Sequence, residues 1–402
     1  MPPNSFPRPG SLIAEIGSLR RNRPIISCGD GCPTFLIGGI GSAQNEHLLK
    51  NEIEKANRAV KLGVHGIVDN SFYGNIEEYH KALIDNVDAA ICTVTVYEFA
   101  SRCRESCVSM KDVDPRVAID VLRSQAERGL DIITVHASYL FRHLERVRAS
   151  TRIIPTTSKG GGIVADYMCQ RKEENPYYVN FDDILCIFKQ NHTTLALGST
   201  FRPATVCDAF DELLVNELTV MGELVERAQS AGVAVMIEGI GHATIGNIPI
   251  HIQLAKKLCH NAPYRMLPMA TDVALGYDHI SAAIAAAVGV AAGANLVTCV
   301  TRAEHVGLPS AADIEEGIIA GKIAAHCGEI SLPGASLQRD MAMSSARWER
   351  GCRGDWKQAV HPIGALAALK SHAGNGPEAI QCSMCGKYCG IAAAISTIEK
   401  AA

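Results

Sequence analysis

Short apolar runs alternate with helical patterns along most of this chain, and that alternation restricts the fold more than any other feature. FLIGGIG (35–41) reads as a strand and the stretch from Glu46 to Leu62 as an amphipathic helix. HGIVDNS (65–71) and AICTVTV (90–96) follow, then a helix near Pro115–Arg128. DIITVHA (131–137), RIIPTTS (152–158), TLALGS (194–199) and AVMIEG (234–239) continue the series, and NLVTCVT (295–301) closes it after an Ala-rich helix. Strand and helix repeated about eight times predict an α/β fold of the (β/α)8 TIM-barrel type. A doubly wound open sheet is the fallback. Barrel interiors are packed, so chemistry sits at the C-terminal ends of strands. Polar residues fall there in this chain: Asp69 and Asn70, Tyr97 and Glu98, His136, Ser158, Ser199 and Arg202, Glu238 and His242.

The expected division is an irregular N-terminal arm (1–34), the barrel (35–308), a C-terminal helical domain (309–370) and a cysteine-bearing tail (371–402). Residues 309–328 and about 333–360 read as long helices, and SHAGNGPEAIQ (371–381) as a tether. The stretch Ala282–Val300 is apolar, but it carries Asn295 and lacks bulky lipid-facing side chains. It reads as a buried helix running into a strand, with no membrane role. The net charge of −4, from 38 basic and 42 acidic residues, gives no electrostatic reason to expect a nucleic acid or membrane partner. The chain has 15 cysteines, an odd number that cannot all pair. The opening MPPNSFPRPGSL shows no secretory pattern, so the reading is a cytoplasmic protein whose thiols stay reduced and available for metal.

The cysteines cluster usefully near the C-terminus. QCSMCGKYCG places Cys382, Cys385 and Cys389 with two and then three residues between them. Three thiolates in one loop can hold three irons of a [4Fe–4S] cluster and leave the fourth without a protein ligand. S-adenosylmethionine can chelate such an iron, and one-electron cleavage then gives a 5′-deoxyadenosyl radical. Structural zinc, with His372 folding back as a fourth ligand, and reactive thiols without metal are the alternatives.

The barrel adds further groups. MIEGIGH (236–242) brings Glu238 and His242, and TRAEHVGLP (301–309) brings Glu304 and His305, so two imidazoles at neighbouring strand ends suit a second metal such as zinc or iron. SKGGG (158–162) is a glycine loop with Lys159 beside it, suited to a phosphate, and LGSTFRP (197–203) supplies Arg202 as a fork onto it. ATDVALGYDHI (270–280) sets Asp272, Tyr277, Asp278 and His279 together, with helix capping as the plain role of Asp278.

Together SKGGG, LGSTFRP, MIEGIGH, TDVALGYDHI, EHVGLP, GIIAGKIAAH and the terminal CSMCGKYC resemble, in order, the phosphomethylpyrimidine synthase (ThiC) family from about residue 35 to residue 392. The resemblance implies a barrel, a helical domain and a C-terminal cluster tail. It also implies a homodimer in which one subunit's tail covers its partner's barrel, and 5-aminoimidazole ribotide as substrate. By motif, Cys382, Cys385 and Cys389 would hold the cluster and His242 and His305 the second metal. Glu238, Tyr97 and His136 would face the reacting substrate. Ser158, Gly160, Gly161 and Arg202 would lie near its phosphate, and Asp272 and Tyr277 would complete the binding set. A reductant such as flavodoxin or ferredoxin would supply the electron.

Several motifs depart from the family pattern. Three residues separate the last two cysteines where the family has four. NANIG becomes IGGIG at 37–41, DLSTG resembles DNSFYG at 69–74, GTVPIYQ becomes CTVTVYE at 92–98, LGDGLRPG loses its acid to Ser199, and PGYDHI becomes LGYDHI at 275–280. These changes gather where substrate should sit while the cluster and phosphate features persist. They favour a different rearrangement of the same ribotide, namely the paralogous 5-hydroxybenzimidazole synthase of anaerobic cobalamin lower-ligand synthesis, over the thiamin pyrimidine. A metal-dependent barrel aldolase using His242 and His305, and a non-catalytic metal- or redox-sensing protein, are the rival classes.

Overall fold

The computed structural model describes residues 13–18, 23–43, 48–350, 354–372, 384–385 and 388–401. Two short strands, β1 (Ile13–Ile16) and β2 (Ile26–Gly29), pair antiparallel. Eight further strands follow: β3 (Phe35–Ile40), β4 (Gly66–Asp69), β5 (Ala90–Val94), β6 (Ile132–Val135), β7 (Thr194–Leu197), β8 (Val235–Gly239), β9 (Tyr264–Met266) and β10 (Leu296–Cys299). They close in the order β10-β3-β4-β5-β6-β7-β8-β9, every pair parallel. The fold is a (β/α)8 TIM barrel, as the alternation predicts.

The two-residue period of the strands sorts their side chains into two layers. Phe35, Ile37, Val68, Cys92, Ile132, Ala196, Met236 and Leu296 fill the interior. Leu36, Ile67, Ile91, Ile133, Leu195, Ile237 and Val297 face outward into the core shared with the surrounding helices. The described part of the expected irregular arm carries the paired strands β1 and β2. Ala14, Ile16 and Cys28 of its hairpin join the interior cluster. The Ser18 N–H donates to Asp131 Oδ1 at 3.2 Å and the Asn295 amide to Asp30 Oδ1 at 2.9 Å. Asp131 and Asn295 immediately precede β6 and β10, so the hairpin closes the end of the barrel opposite the strand C-termini.

Two strand expectations are corrected. RIIPTTS (152–158) is a loop, held by Arg152: its guanidinium clasps Asp211 at 2.6 and 2.7 Å and donates to the Pro155 and Phe201 carbonyls. The missing eighth strand is β9, whose YRM sequence puts an arginine in the barrel interior and so breaks the apolar run. AICTVTV also ends early as a strand, at Val94, where helix Thr95–Glu105 begins.

Helix Ala311–Glu329 lies within the barrel's compact unit, which ends at Glu329. The second unit, from Ile330, carries helices Gln338–Arg350, Pro362–His372 and Gly390–Ala401. The single helix expected over 333–360 is interrupted there, and a 3-10 turn at Trp356–Gln358 accepts Arg339 through the Gln358 carbonyl at 2.8 Å. Among the described residues no helix is long and apolar enough to cross a membrane.

Candidate active site

At the C-terminal mouth of the barrel, the inward positions of four strands form one hydrogen-bonded polar layer. Thr134 Oγ1 donates to Glu238 Oε1 at 3.0 Å, Arg265 Nη1 donates to the same oxygen at 2.8 Å, and Arg265 Nε donates to Thr298 Oγ1 at 3.1 Å. Thr134, Glu238 and Arg265 are buried and Thr298 is half-buried. Sequence reasoning placed Glu238 there and missed Arg265.

Above that layer sits His136. Its Nε2 lies 3.1 Å from Ser158 Oγ, while its buried Nδ1 has no hydrogen-bond partner among the described residues. Burial lowers its pKa to about 4, offset in part by the nearby Glu238 carboxylate and reinforced by Arg202. The ring is therefore neutral at physiological pH. Because an unfolded histidine titrates near 6.5, the unfolded chain binds more protons than the folded one between pH 6.5 and about 4, and stability falls as pH drops through that window. The penalty is about 3 kcal/mol when complete. His136→Asn should flatten this part of the acid limb of stability against pH, measured by denaturant titration. An unchanged acid limb would count against a neutral, desolvated imidazole.

Ser158 caps helix Lys159–Arg171, accepting the Gly161 N–H at 3.0 Å. The glycines of SKGGG have a packing reason: a Cβ on Gly160 would overlap His136 and one on Gly161 would overlap Thr200, whereas Gly162 meets nothing. The cap presents a helix N-terminus to the mouth, suited to an anion. Lys159 Nζ lies 4.2 Å from the centroid of the Tyr97 ring and 5.4 Å from that of Phe72. Burial pushes the Tyr97 phenol up to about 12, against the pull of Arg202, so its hydroxyl stays a donor. Glu98, expected at the same strand end, is turned away. Arg128 Nη2 reaches its two oxygens at 2.8 and 2.7 Å, with Arg102 and Gln125 completing a structural network.

The loop after β7 hangs on a residue the sequence did not single out. Glu217, buried in helix Glu212–Ala231, accepts from Thr200 N–H at 2.6 Å, Phe201 N–H at 2.8 Å, Ser199 Oγ at 2.9 Å and Ser138 Oγ at 3.0 Å. Burial raises its pKa and these four donors pull it back. This anchoring sets Arg202, whose Nη1 donates to the Ser199 carbonyl at 2.9 Å.

In EGIGH, Ile240 adopts a left-handed φ of 35°, a strained turn of the kind that gathers at functional sites. A Cβ on Gly239 would overlap the Tyr264 hydroxyl, and one on Gly241 the Pro203 carbonyl. The turn delivers His242, whose ring centroid is 5.3 Å from that of His305. His242 Nδ1 bonds Asp272 Oδ1 at 2.7 Å and His305 Nδ1 bonds Asp278 Oδ1 at 3.0 Å. Burial pushes Asp272 up, but bonds from Thr205, His242 and the Val206 N–H hold it below its ordinary value, so it is a carboxylate and Nδ1 of His242 is the donor. Two imidazoles, each oriented by a carboxylate through Nδ1, keep Nε2 for a metal, which is the usual arrangement behind metal-binding histidines. This donor set fits a divalent cation, although no cluster of three or more ligating side chains occurs among the described residues. Asp272 acts here through His242, and Tyr277 is 59% exposed. Asp278 is the first residue of helix Asp278–Ala291; the cap position is Tyr277.

In the second unit, Cys385 is exposed and Cys389 buried, the latter immediately before helix Gly390–Ala401, with its carbonyl accepting the Ala393 N–H at 2.9 Å. A helix N-terminus favours a thiolate, so Cys389 suits metal ligation. Cys382 and the tether at 373–380 lie outside the described residues.

A family model described as the radical SAM ThiC family matches residues 9–396. The chain belongs to that family. It is therefore an enzyme, and radical SAM chemistry requires S-adenosylmethionine, an iron–sulfur cluster, a small-molecule substrate and a reductant. The phosphomethylpyrimidine synthase of Desulfotalea psychrophila is 37% identical over 371 residues, covering 91% of this chain and 85% of that one. The phosphomethylpyrimidine synthase of a Thermoanaerobacter species is 38% identical over 383 residues, covering 94% and 88%. Among solved structures, a dihydropteroate synthase from Coxiella burnetii covers 80% of this chain and 100% of that one, with a TM-score of 0.44 and 12% identity.

Proposed function

We propose that this enzyme rearranges 5-aminoimidazole ribotide to a pyrimidine phosphate, the reaction type for which its relatives are named. The preference for 5-hydroxybenzimidazole drawn from the sequence departures gives way here, because relatives 37% and 38% identical over more than nine-tenths of the chain carry the phosphomethylpyrimidine name. The observation that carries the reading is the convergence of His136, Ser158, Arg202 and Glu238 at one barrel mouth, where a helix N-terminus and a guanidinium suit a phosphate and a buried carboxylate suits an amine.

When bound, the cluster and S-adenosylmethionine supply the 5′-deoxyadenosyl radical; Cys382, Cys385 and Cys389 are the proposed ligands. The chain's own residues do the rest. Arg202 and the amides of the SKGGG helix start hold the phosphate. Glu238 accepts from the substrate amine, Tyr97 donates a hydrogen bond, and neutral His136 takes or returns a proton at a ring nitrogen. His242 and His305 hold a second divalent metal, zinc or iron. A homodimer and a flavodoxin or ferredoxin donor complete the proposal on the strength of the resemblance.

Hydroxybenzimidazole is the second reading, favoured by one observation. Gly39, at the inner end of β3, brings no side chain to the mouth, and a Cβ there would lie 3.6 Å from Asn70 Nδ2, where the resemblance puts an asparagine. Anaerobic reconstitution with iron, sulfide, S-adenosylmethionine, reductant and ribotide separates the two by product mass and fluorescence. Absence of both 5′-deoxyadenosine and a new aromatic product would sink the proposal.

A further inference from the structure

We propose that Arg265 and Glu238 form a donor–acceptor platform that reads the edge of the substrate's heterocycle, making Arg265 a specificity-determining residue. The two are register partners across β8 and β9. Alternation turns both into the barrel, since Ile237, Tyr264 and Met266 belong to the outward core. Arg265 is 2% exposed and Glu238 4%.

Their bonding leaves one atom of each to spare. Glu238 Oε1 takes both Thr134 Oγ1 and Arg265 Nη1, and Arg265 Nε is spent on Thr298. Among the described residues, Glu238 Oε2 and Arg265 Nη2 have no hydrogen-bond partner, and neither atom is sealed from solvent. A planar guanidinium edge fixed beside a carboxylate oxygen therefore offers one donor and one acceptor in a preset geometry. The complementary ligand edge carries an amine donor and an unsubstituted ring nitrogen as acceptor. An aminoimidazole has both. A buried site with unmade hydrogen bonds rejects molecules that cannot complete them far more strongly than an apolar pocket does. A barrel-closing ion pair alone would have no use for the two open atoms.

This inference rests on the ribotide reading above, and the experiment separates the two. Calorimetry on the full-length, anaerobically purified protein without reductant measures binding of 5-aminoimidazole ribotide and of ribose 5-phosphate, which lacks the heterocycle. The ribotide should bind roughly 10–100-fold more tightly than ribose 5-phosphate. Arg265→Met should erase most of that gap while leaving the ribose 5-phosphate affinity unchanged, and Arg265→Lys should keep only part of it. Because a lone buried carboxylate can unfold the single variant, the double variant Glu238→Gln, Arg265→Met, which removes both charges, is measured beside it. Thr298→Val, which frees the guanidinium, should narrow the gap less. A wild-type protein that fails to bind the ribotide overturns the ribotide reading and this one with it. Ribotide binding with the gap preserved in the Arg265 variants overturns this inference alone.

Discussion

Replacing Cys389 with serine is expected to strip the protein of cluster iron and abolish S-adenosylmethionine cleavage, while ribotide binding survives. The reason is positional. Cys389 is 4% exposed and sits directly before helix Gly390–Ala401, where the first-turn amides favour a thiolate and a serine hydroxyl stays protonated. Three thiolates are the minimum for the proposed cluster, so losing one leaves two irons or more without protein ligands. The phosphate and heterocycle groups belong to the barrel unit and should be indifferent to the change. Iron and sulfide analysis, 5′-deoxyadenosine release and calorimetry give the three readouts. A variant that kept its iron and its cleavage activity would rule Cys389 out as a ligand.

The second large effect is expected far from any cofactor. Glu217→Ala should destabilise the barrel by about 4 kcal/mol, because it orphans two buried backbone N–H groups and two buried hydroxyls at roughly 1–3 kcal/mol each, relieved in part by water. It should also raise KM for the phosphate-bearing substrate more than it lowers kcat, since the loop it releases carries Arg202. Glu217→Gln retains one acceptor but turns an amide donor toward other donors, so it should recover only part of the loss. Thermal unfolding and steady-state kinetics test both statements. A wild-type midpoint in Glu217→Ala would mean the carboxylate is not the anchor it resembles.

The contrast between Glu238 and Glu217 shows what a sequence makes legible. Glu238 announces itself at the end of an apolar run, beside the glycines and histidine of EGIGH. Glu217 sits within the helical stretch ELLVNELTV, where an acidic residue reads as solvent-facing, and only the packing of that helix against the β7 loop reveals its task. Arg265 was hidden for a related reason. Its strand is three residues long with a charge at its centre, so the pattern that exposed seven barrel strands failed there. RIIPTTS had the opposite fault: β-branched and apolar residues imitate a strand where an arginine and two carboxylates fix a loop. The total of eight strands came out right because these two errors offset each other. The paired histidines His242 and His305 were legible as residue types, but their pairing with Asp272 and Asp278, 30 and 27 positions away, was not.

The closure of the ring has a consequence for the order of events at birth. Leu296 pairs with Phe35, about 260 residues earlier, so the ring cannot close until the chain has been synthesised through β10. The proposed cysteine ligands, Cys382, Cys385 and Cys389, follow β10 in the chain. Cofactor loading would then follow a preassembled vessel rather than nucleate it, and apoprotein purified without iron should already possess its full complement of barrel secondary structure.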